Sequence, residues 1–139
     1  MDPFSIAVTC TALVSTITKL TTKLTSFSRR VRESRHDITV IVQELVSLIT
    51  TLEYLAEDMS DPENCKKLPP SLVSQMKGLL AGCDKVVMQI SQSISKFDSD
   101  GLIVRTQWAI TGHEDMEKLR SSLEAHKSAL AIGLDMLLL

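Results

Sequence analysis

The sequence predicts an all-α fold, an up-and-down bundle of four main helices with a short connecting helix or loop. Apolar residues recur at alternating four- and three-residue steps, the spacing that places them on one side of a helix. Aromatic residues make up only 4% of the chain, and there are few turn formers, with five glycines and four prolines among 139 residues. A chain of this length buries about two-thirds of its unfolded surface, so we expect residues 1–139 to form a single domain.

The first predicted helix runs from Pro3 to about Phe27. Pro3 suits a first helical turn because its missing N–H would be unpaired there, and Asp2 is the expected cap. No charged residue lies between Asp2 and Lys19, although Ser and Thr are frequent. The bundle core, a membrane or a partner helix would each accept the apolar stripe of this helix, which consists of Ile6, Cys10, Leu13, Ile17, Leu20, Leu24 and Phe27.

A second helix is predicted from about Ser28, and it carries the longest apolar stripe of the chain. The segment from Asp58 to Pro70 is predicted to be a loop, because the residue before each proline is driven away from helical backbone. The inner face of the second helix is formed by Ile38, Ile41, Val42, Leu45, Leu48, Ile49, Leu52 and Leu55.

A third helix is predicted from Ser71 to about Phe97, followed by a helix end at residues 98–101. Gly78 and Gly82 lie four residues apart inside it. Each would cost about 1 kcal/mol relative to Ala in a helix interior, and we interpret the pair as permitting close contact with a neighbouring helix. The predicted apolar positions of this helix are Leu72, Met76, Leu79, Leu80, Cys83, Val86, Val87, Ile90, Ile94 and Phe97.

Residues 102–110 are predicted to be a short apolar connection that carries the only tryptophan, Trp108, and Thr111 is the expected cap of the last helix. His126 fills a gap in the rhythm of that helix. We interpret it as a boundary residue with a hydrogen bond rather than as a pH switch. The stripe of the last helix is Met116, Leu119, Leu123, Leu130, Leu134 and Leu137.

The charge of the chain is uneven. The net charge of −2 argues against a general nucleic-acid binder, which needs a dominant basic surface. The first 36 residues nevertheless carry +4 and the remainder −6. Arg29, Arg32 and Arg35 are three apart and would share one side of a helix. They are either an anionic-lipid contact, worth about 1 kcal/mol per residue, or a solvated helix start. The full basic flank is Lys19, Lys23, Arg29, Arg30, Arg32 and Arg35.

The sequence predicts no catalytic, cofactor or metal site. The glycines are isolated, so no phosphate-binding loop is present, and the three histidines form no i, i+4 pair. Cys10, Cys65 and Cys83 are odd in number with no close pair, as expected of reduced thiols in an intracellular protein. We expect no secretory signal, and no helix long and apolar enough to span a bilayer as a conventional segment.

The opening Met1-Asp2-Pro3-Phe4-Ser5-Ile6-Ala7, the basic turn into an Ile/Leu/Val-rich second helix, and the closing Trp108-Ala109-Ile110 carry a resemblance. Together they resemble the fungal N-terminal domain of STAND (NOD-like) receptors. This is the HeLo-like group of helical domains, which includes a version named after an azaphilone-cluster protein. The resemblance spans the whole chain. Its closing pattern continues through Leu119, Leu123, Glu124, His126, Lys127, Ala129 and Leu130.

The resemblance implies a non-enzymatic effector or signalling module in cell-death or immune signalling. Such a domain precedes nucleotide-binding and repeat domains, forms homo-oligomers, and in some members is thought to release an N-terminal helix into a membrane. It would be cytoplasmic and membrane-associated on activation. By this resemblance the inserting or repacking residues are Phe4, Ile6, Leu13, Val14, Ile17 and Leu20, with the basic residues above as their flank.

Two features bear on that expectation. The first helix is richer in Thr and Ser than a Leu/Val/Gly-rich inserting helix, which lowers its hydrophobicity. The apolar residues 137–139 are expected where a domain continues into a longer protein. The alternative function is a structural homodimerisation or scaffold domain without membrane activity, whose interface would bury the first helix or the surface at Gly78 and Gly82.

Overall fold

The computed structural model describes residues 3–66, 68–97 and 102–137, and every regular element within those ranges is helical. The all-α prediction with four long helices is confirmed. In chain order the elements are α1 (Pro3–Arg30), a 3₁₀ turn (Arg32–Ser34), α2 (Arg35–Ser60), α3 (Pro62–Lys66), α4 (Pro70–Ser95), α5 (Leu102–Gln107), a π-helical segment (Trp108–Gly112) and α6 (His113–Leu137).

The four long helices close into a ring in which α1 contacts α2 and α4, and α6 contacts the same two helices. The short turn makes α1 and α2 antiparallel. α1 and α4 run parallel, since the Nζ of Lys23 donates a hydrogen bond of 2.9 Å to the Oγ of Ser95, near the C-terminal end of both helices. On the opposite side Lys127 of α6 and Glu44 of α2 form an ion pair of 2.7 Å.

The core contains the apolar stripes that the sequence predicts, except that Val73 is buried in place of the predicted Leu72 at the start of α4. All seven stripe residues of α1 are buried, and the stripes of α2, α4 and α6 meet them in one continuous cluster. Burial of each such side chain contributes about 1.5–3 kcal/mol, so these stripes are the main source of the fold's stability. The structure thus uses the α1 stripe as core.

The predicted loop at residues 58–70 is partly wrong. α2 continues to Ser60, and the short helix α3 begins at Pro62. The Oδ1 of Asp61 accepts a hydrogen bond of 3.0 Å from the backbone N–H of Glu63, which caps α3. Pro62 restricts the residue before it, but its own fixed φ suits the first helical position, and Pro70 begins α4 in the same way.

The connection predicted before the last helix is a short helix, α5, and it continues without a break into α6. Gln107 and His113, which flank the π-helical segment, both have right-handed helical backbone, so residues 102–137 form one uninterrupted helical run. Thr111 therefore caps nothing. Its hydroxyl donates a hydrogen bond of 3.0 Å to the carbonyl of Gln107 one turn earlier. The predicted cap Asp2, the helix end at 98–101 and residues 138–139 lie outside the described residues.

The boundary between the first two helices also differs from the prediction. α1 continues to Arg30, and α2 begins at Arg35 rather than near Ser28. Val31 has extended backbone with φ −114° and ψ 92°, which breaks the helix, and the buried hydroxyl of Ser34 donates a hydrogen bond of 2.6 Å to the carbonyl of Val31. The predicted basic residues Arg29, Arg32 and Arg35 therefore lie on α1, in the 3₁₀ turn and on α2, respectively.

α1 and α2 are each long and apolar enough to cross a membrane by length and composition, over Phe4–Arg30 and Arg32–Ser60. The expectation that no helix meets this criterion is therefore wrong. A buried core helix passes the same test, and one-third of each window is buried inside the bundle.

Candidate functional site

Most of the α1 side chains predicted to insert into a membrane or to bind a partner are inaccessible in the folded bundle. Val14 packs partly buried against the core, and Phe4 is 64% exposed at the start of the helix. The stripe faces α2 and α4, the two neighbours of α1 in the ring. The buried members of the predicted set are Ile6, Leu13, Ile17 and Leu20.

The basic residues lie on the surface instead. We define the basic cluster as Lys19, Lys23, Arg29, Arg30, Arg32 and Arg35, all of which are exposed. Arg29 and Arg30 end α1, Arg32 lies in the 3₁₀ turn and Arg35 begins α2, so the arginines share one end of the bundle but not one helix. The Nε of Arg35 donates a hydrogen bond of 3.3 Å to the carbonyl of Ser28, which ties the two sides of the turn together.

An aromatic cluster of Phe27, Phe97 and Trp108 lies beneath this basic end. Their ring centroids are 5.2 to 6.5 Å apart in tilted and edge-on arrangements, which are favourable for aromatic pairs. The guanidinium of Arg30 lies 5.8 Å from the centroid of the Phe27 ring, within cation–π distance. Because three separate elements supply the rings, the basic turn rests on a rigid base that sequence spacing does not show.

Asp37 anchors that base and was missed by sequence reasoning. Its carboxylate accepts a hydrogen bond of 3.0 Å from the indole N–H of Trp108 and lies 2.7 Å from the Nδ1 of His113. The hydrogen bond to Asp37, followed by its charge, raises the pKa of His113 above the ordinary 6.5. The contact of His113 with Asp37 therefore joins the start of α6 to the start of α2.

Around this pair the structure forms a small polar cavity of about 160 Å³, which sequence reasoning did not anticipate. Asp37 is already occupied by two donors, and the described residues that line the cavity include no Ser, Thr or Cys that could act as a nucleophile. The arrangement acts as a polar tie between helices. Its lining consists of His36, Asp37, Val40, His113, Met116, Glu117 and Arg120.

The two buried cysteines are placed as packing residues. Cys10 lies on α1 and Cys83 on α4, and burial raises the pKa of each thiol from 9.0 to about 12. A thiol with that pKa is neutral at physiological pH and a poor nucleophile. Among the described residues, no group of three or more His, Cys, Asp or Glu side chains is placed to hold a metal ion.

The close helix contact predicted at both glycines is present only at Gly82. A Cβ at Gly82 would lie 2.5 Å from the Nε2 of His126, whose Nδ1 is held 2.7 Å from the carbonyl of Ser122. A Cβ at Gly78 would meet nothing within 4 Å, because Gly78 faces away from the ring of helices. Among the described residues, none makes the predicted contact at Gly78.

A second surface feature is an open groove between α1 and α4, with a volume of about 360 Å³ and mainly apolar walls. No sequence motif indicated it, since it depends on how far apart these two helices lie. We define the α1–α4 groove by its lining residues, which are Thr9, Ala12, Leu13, Thr16, Lys77, Leu80, Ala81 and Asp84.

The sequence matches the model of one protein family over residues 1–139, and that family is described as pigment biosynthesis cluster protein PigL N-terminal. The match agrees with the part of the resemblance that concerns an azaphilone-cluster protein. No curated protein and no solved structure shows significant similarity to the chain.

Proposed function

The chain belongs to the pigment biosynthesis cluster protein PigL N-terminal family, and we propose that it is a non-enzymatic helical effector and signalling module. In this proposal it self-associates and contacts anionic membrane surfaces. We further propose that the chain is a HeLo-like domain of a fungal NOD-like receptor, in which nucleotide-binding and repeat domains follow it. The module would be cytoplasmic and become membrane-associated on activation.

The observation that supports membrane contact is the four arginines of the basic cluster, which are exposed at one end of a bundle whose apolar stripes are buried. The folded domain can thus offer Arg29, Arg32 and Arg35 to lipid phosphates without unfolding. At about 1 kcal/mol per residue, three arginines give only about 3 kcal/mol. One copy would bind weakly, and several linked copies would bind much more tightly through their combined contacts. Self-association would therefore strengthen membrane binding.

Release of α1 is a more costly step. Removing its seven buried stripe residues from the core would lose about 10–20 kcal/mol, at about 1.5–3 kcal/mol each. That is as large as the whole stability of a typical domain. Release is therefore expected only where the stripe is buried again in the same step, against lipid or another copy.

The hydroxyl groups of α1 reduce one cost of that step. The hydroxyls of Thr9, Thr11 and Thr18 donate to the carbonyls three or four residues earlier at 2.8 to 3.0 Å, and others on the helix do the same. A hydroxyl bonded to its own helix enters an apolar medium at lower cost than an unpaired one. The Thr-rich composition is thus compatible with contact between α1 and lipid.

The experiment is co-sedimentation of the domain with anionic and with neutral vesicles. We expect binding to anionic vesicles that falls with salt, and loss of that binding when Arg29, Arg32 and Arg35 are all replaced by Glu. The matched control replaces three exposed lysines away from the cluster, Lys66, Lys85 and Lys118, by Glu. Both variants change the net charge equally, so equal loss in both would contradict a site at the basic cluster.

The second candidate function is the homodimerisation scaffold without membrane activity. It is favoured by the α1–α4 groove, where Ala81 is exposed, and separately by the open surface at Gly78. Light scattering on the same samples separates the two functions. A stable dimer with no affinity for either vesicle type favours the scaffold, and a vesicle-bound oligomer favours the effector.

A further inference from the structure

We infer that the α1–α4 groove is the surface through which two copies of this chain pair, antiparallel and related by a two-fold axis. This inference rests on the proposed self-association and specifies where it occurs. The axis would cross α4 between Leu80 and Ala81 and would cross α1 between Ala12 and Leu13.

The spacing of the groove residues carries the argument. On α4 the lining residues are Lys77, Leu80, Ala81 and Asp84, and on α1 they are Thr9, Ala12, Leu13 and Thr16. Both sets have the form i, i+3, i+4, i+7, so each is symmetric about its own centre. An antiparallel copy placed over the groove matches each residue with the one at the mirror position.

The charges then select the orientation. Lys77 and Asp84 are both exposed, and among the described residues neither forms an ion pair. They lie seven residues apart, about 10.5 Å along α4. In an antiparallel pair, Lys77 of each copy faces Asp84 of the other, which forms two ion pairs. A parallel pair would instead bring Lys77 to the level of Lys77 and Asp84 to the level of Asp84.

Small side chains permit this approach. Ala81 lines the groove, lies beside the proposed axis and is exposed. On the α1 wall of the groove, Thr9 and Thr16 also have short side chains. A second helix can therefore come close to α4 without displacing a large side chain, and the apolar walls gain from the removal of water.

The test uses sedimentation of the chain across a concentration series. Lys77→Glu and Asp84→Lys each replace two facing ion pairs with two like-charge contacts, and each is expected to raise the dimer Kd about tenfold or more. An equimolar mixture of the two variants restores both ion pairs in a heterodimer. The double variant Lys77→Glu with Asp84→Lys restores them in a homodimer, and both are expected to dimerise within about threefold of the wild type.

Lys85→Glu is the matched control, because Lys85 is exposed and adjacent to Asp84 but does not line the groove. It is expected to leave the Kd unchanged. Rescue by mixing cannot arise from a folding defect, so it separates an interface from a structural role. Absence of rescue, or equal weakening by Lys85→Glu, overturns the groove while leaving self-association intact. A chain that stays monomeric throughout overturns the proposed self-association as well.

Oxidative crosslinking tests the direction of pairing. In a Cys65→Ser background, Ala81→Cys lies beside the axis and is expected to form a disulfide-linked dimer under mild oxidation. Met88→Cys would lie about 22 Å along the helix axis from its counterpart in the antiparallel pair and is expected to remain monomeric. Ready crosslinking through Met88→Cys would indicate parallel pairing, because only a parallel pair brings both Met88 positions to the same level, and it would overturn the inference.

Discussion

The two sides of α4 are packed in opposite ways. On the side facing α6, the ring of His126 lies so close to Gly82 that a Cβ would be 2.5 Å from its Nε2. On the side facing α1, Ala81 is exposed beside a groove of about 360 Å³. A small residue on a helix is therefore required only where another element approaches. Gly82 is such a residue, whereas a Cβ at Gly78, four residues earlier, would meet nothing within 4 Å.

The difference extends beyond α4. α6 is held to α2 by the Lys127–Glu44 ion pair and by the contact of His113 with Asp37. α1 is tied to α4 by the Lys23–Ser95 hydrogen bond at one end. We call the α4–α6 contact the closed seam and the α4–α1 contact the open seam. The open seam is the place where a further helix can add to the bundle.

The largest effect is expected at the base of the open seam. Leu13 lines the groove but is only 4% exposed, so Leu13→Glu would bury a carboxylate without a partner. We expect it to lower the free energy of unfolding by about 3–5 kcal/mol or more. Thr16→Glu, at the exposed rim of the same groove, is the matched control and should change it by about 0.5 kcal/mol or less. Urea denaturation measures both, and a tolerated Leu13→Glu would show that the open seam reaches into the core.

Gly82→Ala tests the closed seam. Alanine favours a helix by about 1 kcal/mol over glycine, but overpacking costs about 1–3 kcal/mol. The hydrogen bond from His126 to Ser122 restrains the ring that would have to move. We expect a net loss of up to about 2 kcal/mol in the free energy of unfolding, measured by urea denaturation. A stabilised variant would mean that the ring moves freely and that the seam is not closed.

Gly78→Ala is the counterpart on the open surface. The added methyl group meets nothing within 4 Å, so only the helix propensity changes. We expect the unfolding free energy to rise by about 0.5–1 kcal/mol when the chain is measured at concentrations where it is monomeric. The opposite signs of the two glycine variants are the sharpest form of the comparison, and a loss of stability at both positions would refute it.

The smallest effect concerns pH. The pKa of His113 is raised by Asp37, so the contribution of this pair to stability is fully present below the unfolded pKa of 6.5 and is lost as the pH rises through the higher folded pKa. His113→Gln should remove that dependence. The measurement is Tm as a function of pH for both proteins, and their difference should shrink as the pH rises. A Tm difference that grows as the pH rises would contradict a stabilising contact between His113 and Asp37.

The sequence also misplaced some boundaries. It ended α1 near Phe27 and began α2 near Ser28, because basic residues at helical spacing do not show that Val31 breaks the helix with an extended backbone. The sequence indicated a connection at residues 102–110, but its spacing does not show that this segment is helical and continuous with α6, or that Trp108 is buried in the core. Both errors concern residues whose conformation is decided by what they pack against.

Helical periodicity by itself determined the fold class and the buried stripes, since a side chain's position around a helix follows from spacing alone. It also identified the basic cluster, because charges that find no place in a core stay on the surface. Only the tertiary structure decided that Gly82 meets His126 while Gly78 meets nothing, that Asp37 joins Trp108 to His113, and that α1 and α4 leave a groove. These features depend on distances between helices, which no spacing along a single helix encodes.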